Sequence, residues 1–98
     1  MKYVAFIYQD KEDNDFIAVV PDLPGCVAYG DTMKEACEMM QEATELWLEN
    51  EELPPANTPK HFTDKLLNEL KIPLTASKCI LHVTAEDDKS YAVEFIDI

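Results

Sequence analysis

Two runs of β-branched and aromatic residues, 3–8 and 16–20, stand on either side of the polar stretch Asp10-Lys11-Glu12-Asp13-Asn14-Asp15. This pattern predicts a β-hairpin with a charged tip. Within the second run, Ile17 and Val19 alternate with Phe16, Ala18 and Val20, so both faces of that strand are apolar. A strand of this kind is buried on two sides, by a helix on one and by a helix or another subunit on the other. Pro21-Asp22-Leu23-Pro24-Gly25 ends the run, because neither proline donates to a sheet ladder and Gly25 tolerates a positive φ. Residues 26–29 then suit a short third strand.

Gly30-Asp31-Thr32 closes that strand, and Thr32 followed three residues later by Glu35 is the signature of a capping box. A helix is predicted from there to about residue 50. Met33, Ala36, Cys37, Met40, Ala43 and Trp47 recur at helical spacing, while Glu35, Glu38, Glu42, Glu45 and Glu49 recur three and four apart. At about 100° per residue the two sets fall on nearly opposite faces, one for the sheet and one acidic. Like charges at this spacing weaken an isolated helix by a few tenths of a kcal/mol, in round terms about 0.3 per pair. The acidic row is therefore either a solvated face or a docking surface for a basic partner.

Pro54, Pro55 and Pro59 make residues 51–59 an extended connector. Thr58 and Pro59 suit the cap and first position of a second, shorter helix, whose stripe is Phe62, Leu66, Leu67 and Leu70 and whose end is marked by Lys71 and Pro73. The chain finishes with another strand pair, 78–84 and 91–96, joined through Glu86-Asp87-Asp88-Lys89. Cys79, Leu81 and Val83, like Tyr91, Val93 and Phe95, lie on the drier face of that hairpin, and His82 lies on the wetter one. The sum is one α+β domain over residues 1–98: an antiparallel sheet in β-β-β-α order, a short helix and a C-terminal β-hairpin. The open edge of that hairpin, residues 78–98, is where homodimerisation is expected.

Charge narrows the function. Eight lysines and arginines against 20 aspartates and glutamates leave a net charge of -12, the opposite of what phosphate backbones attract. Such a field draws basic proteins and speeds their encounter. Three cysteines, Cys26, Cys37 and Cys79, are widely spaced, and no apolar run near residue 1 reads as a signal peptide, so a cytoplasmic protein is expected. With His61 and His82 those cysteines form no CxxC or HxxxH pair, so neither a metal nor another cofactor is expected. Cys26 has no neighbouring base to lower its pKa, and Cys37 lies on an apolar helix face. Asp10, Asp15, Asp22 and Asp31 occupy turns, where aspartate most often satisfies backbone amides. No catalytic residue is assigned. A metal-dependent hydrolase would need these aspartates to converge in space.

The run Phe16-Ile17-Ala18-Val19-Val20-Pro21-Asp22-Leu23-Pro24-Gly25-Cys26, followed by Gly30-Asp31-Thr32 and Glu35-Ala36, resembles the HicB antitoxin family. The match spans residues 3–50, and the Leu53-Pro54-Pro55 connector is also similar. The resemblance implies a partial ribonuclease H-like fold without nuclease chemistry. It further implies a type II antitoxin that binds a small, basic, messenger-RNA-cleaving toxin, HicA, and masks its catalytic histidine. The motif residues themselves have a structural role first, in turning the chain and starting the helix. The partner surface is expected on the acidic face, at Glu38, Glu42, Glu45 and Glu49.

Better-known members of that family append a ribbon-helix-helix or helix-turn-helix module. Here the order after the connector is helix, strand, strand, with no basic recognition helix, so no DNA-binding module and no membrane-binding segment is visible. The rival expectation is a stand-alone oligomeric binding protein that keeps the family's fold and has no cognate toxin.

Overall fold

The computed structural model describes residues 1–50, 52–86 and 91–97, with the side chains of residues 50 and 97 left aside. The turn expected at Glu86-Asp87-Asp88-Lys89 lies, from Asp87 on, outside the described residues. The elements run β1 (Lys2–Gln9), β2 (Phe16–Val19), β3 (Val27–Gly30), α1 (Met33–Asn50), a 3-10 turn (Pro59–His61), α2 (Asp64–Glu69), β4 (Ser77–Ala85) and β5 (Tyr91–Asp97). The α+β class is as expected. All five strands join one antiparallel sheet in the order β3-β2-β1-β4-β5. The terminal hairpin thus pairs with the first strand and completes a single sheet.

β1 is central because it is apolar on both faces. Tyr3, Ala5 and Ile7 point into a core shared with Ala18, Val20, Leu23, Ala36, Met40, Leu81 and Val83, under α1. Val4 and Phe6 point the other way, into a second core with Phe62, Leu67 and Ile72. Both sides are covered from within the chain, one by α1 and the other by the segment 59–72. Burying a large apolar side chain contributes roughly 1.5–3 kcal/mol, so a doubly covered central strand holds the molecule together.

The hairpin tip is built from its own polar residues. The Asp10 carboxylate accepts from Glu12 N at 2.9 Å, Asp10 N donates to Asp15 O at 2.8 Å, and Asn14 takes a φ of 61°. Asparagine tolerates that left-handed conformation better than most residues.

The second helix departs from expectation. Thr58 makes no side-chain cap bond, and Pro59 opens a 3-10 turn of three residues. The α-helix begins afresh at Asp64, where Thr63 Oγ1 accepts from Leu66 N at 3.3 Å. The break aims Phe62 at the sheet, with its ring edge-on to Phe6 at 5.6 Å. Tertiary packing therefore overrides the single helical stripe. Phe62 and Leu67 are buried and Leu66 is partly covered, but Leu70 at the C-cap is exposed.

Two further details of the expectation change. The buried stripe of α1 also takes in Thr44 and Leu48, while Ala43 and Trp47 are only partly buried. Thr44 is tolerated there because its hydroxyl donates to Met40 O at 2.8 Å. His82 is half-buried rather than free on the surface, with Nδ1 4.0 Å from Glu94 Oε1.

Candidate functional site

The motif residues form a joint. Leu23 N donates to Val20 O and Cys26 N to Leu23 O, both at 2.9 Å, so two turns follow one another through residues 20–26. Gly25 has a φ of 82°, the value that the third position of a type II turn requires after Pro24. Leu23 and Cys26 are driven into the main core, and Pro21 holds the chain at the end of β2.

That joint grips the connector. The Asp22 carboxylate accepts from Asn57 N at 2.8 Å and from Asn57 Nδ2 at 2.7 Å. The Tyr3 hydroxyl donates to Pro54 O, and Trp47 Nε1 donates to Pro24 O at 2.9 Å. Leu53 and Ala56 pack on the main core between these ties. The role of Asp22 is thus to fasten residues 53–57 so that the chain can reach the far face of the sheet. Asn57, Tyr3 and Trp47 were not legible as its companions, because partners 35 residues apart leave no local pattern.

At the other end of the motif, Gly30 lies against the start of α1. A Cβ there would meet Ala36 N at 2.5 Å. Thr32 Oγ1 accepts from Glu35 N at 3.0 Å, Ala36 is fully buried and Asp31 is exposed. The motif residues thus turn the chain, fasten the connector and start α1, and Pro21, Leu23, Pro24, Gly25 and Cys26 also line an open hollow beside Leu70 and Ile72.

Cys26 sits within 3.6 Å of Met40 Sδ and Thr44 Oγ1. Burial pushes its thiol pKa up, against a smaller lowering by Thr44. The Cys37 thiol is raised too, by burial first and then by Glu38. Both stay protonated at neutral pH and act as small apolar groups. Among the described residues no group of three or more His, Cys, Asp or Glu side chains is placed to hold a metal ion. Nor is any helix among them long and apolar enough to cross a membrane.

What remains is a charged surface. Glu35, Glu38, Glu42, Glu45 and Glu49 are all exposed along α1, and among the described residues only Glu38 has a cation within 4 Å, Lys34 at 3.9 Å. Lys34 against five glutamates leaves α1 a net -4. Across the sheet, Lys60, Lys65, Lys71 and Lys78 against Asp64 and Glu69 leave the segment 59–78 a net +2. The helix on one side of the sheet and the segment 59–78 on the other thus carry opposite net charge. Met39 and Leu46, seven residues apart and exposed, border the acidic row. Their apolar character at helical spacing was visible in the sequence, but they fall outside the stripe that packs on the sheet.

A family profile described as "HicB_like antitoxin of bacterial toxin-antitoxin system" matches residues 3–71. The chain belongs to the HicB-like antitoxin family. Among its relatives is a UPF0150 protein of Thermoplasma acidophilum, 40% identical over 62 residues, which cover 58% of this chain and 88% of that protein. A UPF0150 protein of Synechocystis is 39% identical over 59 residues, or 55% and 80% of the two chains. One from Archaeoglobus fulgidus is 41% identical over 49 residues, or 50% and 70%. The family match takes in the motif joint, α1, the connector and α2, and it ends before β4.

Proposed function

We propose that this chain is a non-catalytic cytoplasmic antitoxin that binds a small basic toxin of the HicA type and covers its catalytic surface. The observation that carries the reading is the outer face of α1, where Glu38, Glu42, Glu45 and Glu49 stand exposed side by side on one rigid helix. A basic protein meets there a row of carboxylates whose mutual repulsion it relieves. Family membership supplies the kind of partner, and the opposite charge of the α2 side favours α1 as the face approached first. The motif residues hold α1 and the connector in place and do not touch the toxin.

Calorimetric titration with a small basic toxin of the HicA type tests the reading. Wild-type binding is expected to weaken as salt rises, because part of the attraction is screened over a Debye length of about 10 Å at 0.1 M. Reversing Glu38, Glu42 and Glu45 to lysine is expected to raise Kd at least about tenfold and to flatten the salt dependence. The far-UV circular dichroism should not change. Unchanged binding by the reversed variant moves the interface off α1. Recovery of bait alone from a lysate that contains the toxin favours the stand-alone oligomeric binding protein instead.

A further inference from the structure

The solvent side of α1 carries more than carboxylates. Met39 and Leu46 are exposed by 43% and 62%, and both lie outside the stripe that meets the sheet. At about 100° and about 1.5 Å per residue they stand one above the other, about 10 Å apart along the axis and within about 60° of Glu42 around it. The same geometry interleaves them with charge. Met39 follows Glu35 by one helical step of four and precedes Glu42 by one of three, and Leu46 stands in the same relation to Glu42 and Glu49. At these spacings helical side chains are neighbours. Ala43, partly buried, fills the step between Met39 and Leu46.

Met39, Ala43 and Leu46 thus recur at i, i+4 and i+7, the spacing by which an amphipathic helix anchors in a partner's groove. α1 holds the sheet with a different stripe, Ala36, Cys37, Met40, Thr44 and Leu48, so Met39 and Leu46 are surplus to the fold. Single apolar side chains on a surface are ordinary. Here two stand in register with three carboxylates, the make-up of an interface with an apolar centre and a charged rim. Charge selects what it fits. A second copy of this chain would bring carboxylates against Glu35, Glu42 and Glu49, and a neutral apolar surface would cover them without pairing them. A basic surface pairs them and leaves Met39 and Leu46 free to enter a cleft.

Resting on the reading of α1 as the toxin-docking helix, we propose that Met39 and Leu46 are the anchors by which α1 seats in its basic partner, entering an apolar cleft whose rim of lysine and arginine meets Glu35, Glu42 and Glu49. The two kinds of side chain then act at different stages. The carboxylates attract at a distance and set how fast the partner arrives, whereas the anchors act only in contact and set how long it stays. The flexible thioether of Met39 adapts to the shape of the cleft. A basic protein without such a cleft meets the carboxylates and gains nothing from Met39 and Leu46, so the anchors discriminate among basic partners.

Surface plasmon resonance of the full chain over an immobilised toxin of the HicA type, at several salt concentrations, tests the proposal. Met39→Ala and Leu46→Ala together are expected to raise the dissociation rate at least about tenfold. The association rate, its salt dependence and the circular dichroism of the free protein should not change. Both side chains are exposed and alanine favours a helix, so neither substitution threatens the fold. Reversing Glu38, Glu42 and Glu45 to lysine is expected to slow association instead. Leu74→Ala, at an exposed residue outside α1, is expected to leave both rates unchanged. If the double alanine variant dissociates like wild type while the charge reversal still slows association, the anchors are overturned and the acidic docking face stands. An equal acceleration by Leu74→Ala overturns the anchors as well, since it shows general adhesion. Binding that neither set of substitutions affects, or that is absent in wild type, overturns the docking reading together with them.

Discussion

Lys71 has a φ of 62°, a left-handed conformation that costs a residue with a Cβ about 1–2 kcal/mol. It is held there because it ends α2. Ile72 N donates to Leu67 O at 2.9 Å, and the side chains of Ile72 and Leu67 meet in the second core, the arrangement of a Schellman motif. Glycine is the usual residue at this position, so Lys71→Gly is expected to stabilise the protein by about 1 kcal/mol. Gly30 is the converse case. A methyl group there would lie 2.5 Å from Ala36 N and 2.8 Å from the Glu35 carbonyl carbon, both of them backbone atoms that cannot step aside. Gly30→Ala is expected to destabilise by about 1–3 kcal/mol, the range for overpacking. Urea unfolding midpoints of the two variants should move in opposite directions from wild type. The glycine before the helix was legible in sequence as the end of a strand. The strained lysine was legible only as a stop signal, since φ is not written in a residue's identity.

At the scale of elements, α1 carries a conflict between stability and its outer face. Its last turn holds no basic residue, and Glu45 and Glu49 stand near the negative end of the helix dipole. Glu49→Lys replaces an unfavourable charge by a favourable one and is expected to raise stability by about 0.5 kcal/mol in low salt. If the acidic row docks a basic partner, the same substitution weakens binding while it stabilises the free protein, and thermal melts beside titration calorimetry will read the two signs separately. The helix itself was plain from its spacing, its cap and its two stripes. The inclusion of Thr44 was not, because a threonine becomes acceptable inside a core only once its hydroxyl has found Met40 O. The second, shorter helix was legible too, but its starting point was not, for a related reason. Thr58-Pro59 is a sound local start, but Phe62 is needed against Phe6, and the helix restarts at Thr63.

At the scale of the whole molecule, the ties of Tyr3, Asp22 and Trp47 join layers that are far apart in sequence. The Tyr3 hydroxyl, which donates to Pro54 O, is pushed from the ordinary 10.0 up to about 12, by burial first, then by Asp22 and Tyr91. Its proton leaves more readily in the unfolded chain, so this contribution is complete below pH 10 and is lost as the pH climbs toward 12. Tyr3→Phe is expected to lower stability by about 1 kcal/mol at neutral pH through the lost hydrogen bond. Its urea midpoint should also fall less steeply than that of wild type between pH 10 and 12. A wild-type slope retained in Tyr3→Phe would assign the alkaline loss to other groups. The elevated thiols of Cys26 and Cys37 act in the same direction from lower pH.

Local chemistry was enough to determine the number and kind of most elements, the turns at Pro21–Gly25, the cap at Thr32 and the acidic row. Each of these depends on residues within a few positions of one another, where periodicity and backbone preference act directly. The two-sided burial of the early strands was also present in the alternation of Ile17 and Val19 with Phe16, Ala18 and Val20. Tertiary structure alone decided that the terminal hairpin joins β1, that Asp22 holds Asn57, and that the helix on one side of the sheet and the segment 59–78 on the other carry opposite net charge. These are contacts between distant segments, selected when a doubly apolar β1 took the centre of the sheet, and no local pattern encodes which neighbour a buried strand will choose.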